Sequence, residues 1–175
     1  MNNRVIPHDP TWASQFEDER QKIAAVFGGV AVAIHHMGST SIPGILAKPI
    51  IDILVEARDL EEIDNLSHGM TKLGYEVMGE FGIENRRYFR KTKADGTRTH
   101  HVHTFLLGSP EAERHLAFRN FLRFNKAEAQ EYSGLKARLT KGDGVTWDSY
   151  LDGKDPFIKA IEREAVAWQR EQTRV

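Results

Sequence analysis

The chain has 175 residues, 40% of them hydrophobic and 28% charged, with a formal net charge of −1 and no cysteine. That length suits one domain with a real hydrophobic core. The near-neutral charge excludes a global basic field for nucleic acid, and the lack of cysteine excludes disulfides, thiolate metal sites and cysteine nucleophiles.

The first residues, "MNNRVIPHDPTW", carry no apolar signal core. No uninterrupted apolar run approaches the roughly 20 residues needed to cross a bilayer. The expectation is a cytoplasmic protein with no membrane partner. "HDPTWASQFEDERQKIAAVFGG" reads as a helix capped by Asp9 or Thr11, with Trp12, Phe16, Ile23 and Phe27 at helical spacing and Gly28–Gly29 as its stop. "VAVAIHHM" (30–37) is β-prone. A Gly-Ser-Thr-Ser loop follows, then "IPGILA" as a turn or short helix. "PIIDILVEA" (49–57) is too apolar for a solvent face and reads as a central strand.

A helix capped by Asp59 comes next, its buried stripe being Leu60, Ile63, Leu66, Met70 and Leu73. "YEVMGEF", "RRYFRKTK" and "RTHHVHTFLL" are predicted as three strands, the last two joined by a tight Asp95–Gly96 hairpin. From Pro110 onward the pattern is helical, with a break at Gly142–Gly144. Strands followed by helices predict an α+β domain over 1–175: a sheet-containing core over 1–108 and a helical part over 109–175.

Candidate chemistry gathers at three places. Gly38 permits close backbone approach, Ser39, Thr40 and Ser41 offer hydroxyls and amides, and a short helix starting near Ile42 or Pro43 would aim free amides at the same point. Lys48 adds a cation. Taken alone, the loop reads first as a strand-to-helix turn with serine caps, and it lacks the Walker A spacing; its combination with Asp52 is what points to phosphate. Asp52 interrupts an apolar strand, where a carboxylate needs an arginine, a metal or other donors. Its neighbours on the same strand face are Ile50 and Leu54, so no second acid accompanies it. In "THHVHTF", His101 and His103 project to one side and His100 to the other. The pair suits metal ligation, phosphate contact or proton transfer, or simply a hydrogen-bonded packing role. Arg87 shares a strand face with Phe89, while Arg86, Tyr88 and Arg90 occupy the other face, and Arg87 is the guanidinium assigned to phosphate. Arg119 with Arg123, and Tyr132 with Lys136, each share a helix face.

"HMGSTSIPGILAKPIIDILV", followed by "RRYFRK", "THHVH", "FRNFLRFN", "EYSGLKARL" and "YLDGKDPFI", resembles the GrpB family, also seen fused to some dephospho-CoA kinases as a C-terminal domain. The resemblance runs from about Val5 to Ile158. It implies a nucleotidyltransferase-like mixed sheet of the polymerase-β type, with packed helices and a C-terminal helical segment. It implies that Gly38–Ser39 grips phosphates and that Asp52 holds a divalent metal, Mg, Mn or Zn, with His101 and His103 standing where a later acid would be. The expected ligand is a nucleotide or another phosphorylated small molecule, held by Gly38, Ser39, Thr40, Ser41, Lys48 and Arg87. Catalytic roles fall to Asp52, His101 and His103. A non-catalytic module for an anionic metabolite and a hydrolase using the histidine pair are the alternatives. The oligomeric state is open.

Overall fold

The computed structural model describes residues 4–174. Five helices and five strands follow in order: α1 (Trp12–Phe27), β1 (Ala31–Met37), β2 (Ile51–Ala57), α2 (Leu60–Lys72), β3 (Tyr75–Val77), β4 (Arg87–Thr92), β5 (Arg98–Leu106), α3 (Pro110–Phe124), α4 (Lys126–Leu139) and α5 (Trp147–Gln172). The strands form one sheet in the order β1-β2-β5-β4-β3. β2 and β5 run parallel and the other neighbours are antiparallel, so the sheet is mixed and the fold is α+β.

Alternation along the strands sends side chains to two different environments. Ile51, Ile53 and Val55 of β2, Phe89 of β4 and Val102 of β5 pack against Trp12, Ile23 and Phe27 of α1 and Ile63 and Met70 of α2. A buried carboxylate lies within this layer. Glu19 of α1 accepts hydrogen bonds from Tyr75 Oη at 2.7 Å and Lys91 Nζ at 2.6 Å. On the opposite face, Met37, Leu54 and Phe105 pack against Ala112 of α3. A further cluster joins α3, α4 and α5 through Phe121, Leu122, Tyr132 and Ile161, and Ile42 and Ile45 of the β1–β2 loop insert into it. That loop is therefore anchored in the helical layer.

Several local expectations change. The short helix near Ile42 or Pro43 does not form. The chain makes a single 3-10 turn at Ser39–Ser41 instead, and Ile42 is already extended. The α2 stripe passes through Ser67, whose hydroxyl donates to the Ile63 carbonyl, while Leu66 is 37% exposed. The fully buried line of α2 is Ile63, Ser67 and Met70, with Leu66 at its margin. β3 ends at Val77, short of Phe81, because Gly79, Phe81 and Gly82 all take positive φ and turn the chain. The β4–β5 hairpin turns through Gly96 at φ +87°, and a bulge next to Lys91 pairs Thr92 with Arg98 instead of Thr99. Thr146 and Ser149 cap α5 reciprocally, and the helix continues through Pro156. Among the described residues, no helix is long and apolar enough to cross a membrane.

Candidate functional site

Strand register assembles the polar cluster. In the parallel β2–β5 ladder, Asp52 lies opposite His101 and Leu54 opposite His103, so period-2 alternation puts all three polar side chains on the α3 face. His101 Nδ1 stands 3.2 Å from Asp52 Oδ1, and His103 Nε2 stands 3.9 Å from the same oxygen. One ligating atom from each residue lies within 4.8 Å of the others, close enough to surround one ion. Burial pushes the Asp52 carboxyl up, but the His101 and His103 rings more than reverse this and hold it well below the usual carboxylate range. Burial lowers the His103 imidazole despite Asp52.

Arg86 backs this cluster. Its Nη1 lies 3.3 Å from His103 Nδ1, while Nε donates to the Glu80 carbonyl and Nη2 to the Phe81 carbonyl. Phe81 is held at φ +46°, outside the comfortable range for a side-chain-bearing residue.

The loop after β1 sits on Asp52. Gly38 has φ +72°, and a Cβ there would lie 2.6 Å from Asp52 Oδ2. Ser39 Oγ accepts a hydrogen bond from Lys136 Nζ at 2.8 Å. The other two hydroxyls serve the turn itself. Thr40 Oγ1 donates to the Ile50 carbonyl and pairs with His36 Nε2, and Ser41 Oγ donates to the Gly38 carbonyl. Thr40 and Ser41 thus hold the loop in shape, and of the three hydroxyls Ser39 is the one engaged with a cation of the chamber. Arg119 and Arg123 reach the loop from α3, donating to the carbonyls of His36 and Ser41.

Three lysines face a chamber of about 410 Å³ that also takes in Ser39, Asp52, His101 and His103. Lys48 Nζ lies 3.6 Å from the Trp147 ring centre and has no hydrogen-bond partner among the described residues. Lys136 is 1% exposed and sits 4.4 Å over Tyr132, and Lys154 sits 4.3 Å over Tyr150. None of the three is within ion-pair distance of a carboxylate among the described residues. Burial is the main force on all three ammonium groups: it lowers Lys136 to about 7 and Lys48 to about 8, and lowers Lys154 as well. A second chamber of about 610 Å³ adjoins the first and shares Lys48, Ile50, His101 and Trp147 with it; Phe81, Tyr88, Arg90 and Arg98 line its far side.

Arg87 is not brought to this site. It shares the α1–α2 side of the sheet with Phe89 and forms a two-point pair with Asp64 of α2, at 2.7 and 3.1 Å. The expected phosphate contact is thus corrected: on the chamber side of the sheet stand Arg86, just before β4, and Arg90 of β4. The residues that sequence reasoning missed come mainly from α5, namely Trp147, Tyr150, Lys154 and Glu162. Tyr150 and Lys154, four apart on one helix face, were the available signal. Glu162 adds a carboxylate to the chamber lining, outside the Asp52–His101–His103 group, and burial raises its pKa.

Five helices on one mixed five-stranded sheet, with a Gly-Ser turn after its first strand and an acid on its second, define an α+β protein. More narrowly, the chain belongs to the GrpB family, since the family described as GrpB protein matches residues 2–164. The UPF0157 protein YqkA of Bacillus subtilis is 43% identical over 95% of this chain, and the match covers 48% of YqkA. The glutamate-rich protein GrpB of Alkalihalophilus pseudofirmus is 30% identical, covering 91% of this chain and 94% of that protein. A dephospho-CoA kinase of Mycobacterium tuberculosis is 24% identical over 95% of this chain and 48% of its own length. The chain therefore spans about half the length of YqkA and of the kinase. The crystal structure of conserved protein GrpB from Enterococcus faecalis superposes with a TM-score of 0.89 at 43% identity, covering 95% of this chain and 99% of that one.

Proposed function

We propose that this chain binds a nucleotide or another phosphorylated small molecule in the chamber between the Gly38–Lys48 loop, the Asp52 strand and α4–α5. One observation carries the reading: Lys48, Lys136 and Lys154 line that chamber without a carboxylate partner among the described residues. Ammonium groups drawn out of water with no carboxylate in ion-pair contact are costly. A polyanionic ligand would supply the missing charge, and Ser39 and the backbone of its turn are placed to meet it. The similarity to a dephospho-CoA kinase supports a nucleotide-related role.

Nucleotidyl transfer is the reaction the reading favours. Asp52, His101 and His103 adjoin the lysines in the same chamber, so a bound phosphoryl group would lie beside groups able to accept a proton. Isothermal titration of the untagged chain with nucleoside triphosphates and with inorganic tripolyphosphate tests the proposal. Saturable binding that weakens in Lys136→Met is expected; no binding by any of these ligands would refute it.

A further inference from the structure

The hydrogen positions implied by the polar cluster are those of a proton acceptor rather than of a cation cage. A guanidinium donates and never accepts. With Arg86 Nη1 at 3.3 Å, His103 Nδ1 presents its lone pair, and the hydrogen of the neutral ring sits on Nε2, the nitrogen turned toward Asp52 at 3.9 Å. An ion at the cluster would need that Nε2 lone pair. A metal-bound imidazole also donates its other N–H to an acceptor, and here the other nitrogen meets a donor. Arg86 is not free to turn away: it is 7% exposed and tied to two backbone carbonyls. Lys48, Lys136 and Lys154 add positive charge to the same chamber.

His101 has the opposite arrangement. Its Nδ1 stands 3.2 Å from a carboxylate oxygen, so Nδ1 carries the hydrogen and Nε2 keeps the lone pair. The ring borders both chambers, at the place where they join. We infer that the cluster works without a resident metal: Asp52 positions His101 as a general base whose Nε2 takes the proton of an attacking hydroxyl, and Arg86 keeps His103 in the tautomer that points its N–H at Asp52. This inference rests on the phosphorylated-ligand reading. In the step, the hydroxyl oxygen forms a bond to phosphorus as Nε2 accepts its proton. The phosphorus–oxygen bond to the leaving phosphate breaks, and the electron pair stays on that phosphate beside the lysines. Asp52, Arg86 and His103 are positioning residues in this scheme, and His101 is the catalytic one.

Nitrogen-15 NMR of histidine-labelled wild-type chain reads the tautomers directly, with His101→Gln and His103→Gln to assign the signals. His101 should carry its hydrogen on Nδ1 and His103 on Nε2, and Asp52→Asn should shift the His101 equilibrium. Zinc and manganese are then added separately and unbound metal is removed. Wild type should retain no equivalent that Asp52→Asn loses. Arg86→Gln offers His103 Nδ1 a carbonyl acceptor and should raise zinc affinity at least about tenfold, the scale of effects from groups behind a metal ligand. One equivalent retained by wild type and lost in Asp52→Asn would overturn the inference, as would His103 hydrogen on Nδ1. If Arg86→Gln does not fold, the wild-type tautomers and metal content decide alone. Tripolyphosphate titrated into the same wild-type sample separates the two proposals: no binding removes the ligand reading while the tautomers still stand or fall on their own signals.

Discussion

Gly38 and Asp52 are in such close approach that a single added methyl group would collide: a Cβ on Gly38 would lie 2.6 Å from Asp52 Oδ2 and 3.0 Å from Asp52 Cβ. The glycine also holds φ +72°, a conformation side-chain-bearing residues adopt at a cost. Gly38→Ala should therefore lose about 1–3 kcal/mol of stability, read as a lower urea midpoint. Because the clash pushes on the carboxylate, the same variant should displace Asp52 from the His101 ring and weaken tripolyphosphate binding. A variant with unchanged midpoint and unchanged binding would contradict the packing described.

Lys136→Met separates function from stability. The ammonium is 1% exposed and its hydrogen-bond partner is Ser39 Oγ. In the folded chain burial lowers its pKa from 10.5 to about 7. Between those values the unfolded chain binds the additional proton, so this residue makes wild-type stability rise with pH through that window and fall toward neutrality. Denaturation from pH 7 to 10 should show this slope in wild type and a smaller one in Lys136→Met. At pH 8, calorimetry in buffers of different ionisation enthalpy should show proton uptake when wild type binds tripolyphosphate, and less in the variant.

Glu19 tests the opposite side of the sheet. Burial opposes its charge, yet Lys91 and Tyr75 hold its carboxyl below the usual value. Glu19→Ala leaves Lys91 without its partner and should cost about 3–5 kcal/mol. In wild type the contribution is present above the ordinary carboxylate pKa and disappears as pH falls through the lowered folded value. Since the pair lies in the α1–α2 layer, variant that remains folded should keep its tripolyphosphate affinity.

Arg87→Ala should leave tripolyphosphate binding unchanged. Its guanidinium is engaged by Asp64, and a pair of this exposure contributes at most about 1 kcal/mol. Titration calorimetry of the variant beside wild type checks this; a fall of tenfold or more would return Arg87 to the site.

Much of the site was legible because it depends on local rules. Alternation places His101 and His103 together and His100 apart, and an aspartate within "PIIDILV" demands partners wherever the strand lies. The division of the 86–89 segment into Arg87 with Phe89 against Arg86 with Tyr88 was equally legible. Which side of the sheet bears the chamber was not, because that follows from α1 and α2 covering one face and α3 the other. The hydrogen bonds of Thr40 and Ser41 to nearby carbonyls were not legible for a related reason: short hydroxyl side chains satisfy nearby backbone groups as readily as a ligand. Lys154 and Trp147 lie far beyond the loop in the chain, and the loop meets them through tertiary contacts: Ile42 and Ile45 packed in the helical cluster, with Arg123 and Lys136 bonded to the turn.

The bulge beside Lys91 matters beyond its own hairpin. By taking up one extra residue on β5, it sets the phase of every side chain from His100 onward. Without it, the strand entering from Arg98 would arrive one step out, sending His101 and His103 into the α1–α2 layer and turning His100 toward Asp52. The identity of the imidazoles that meet the carboxylate is thus decided at the sheet's far hairpin, by a backbone irregularity that touches neither.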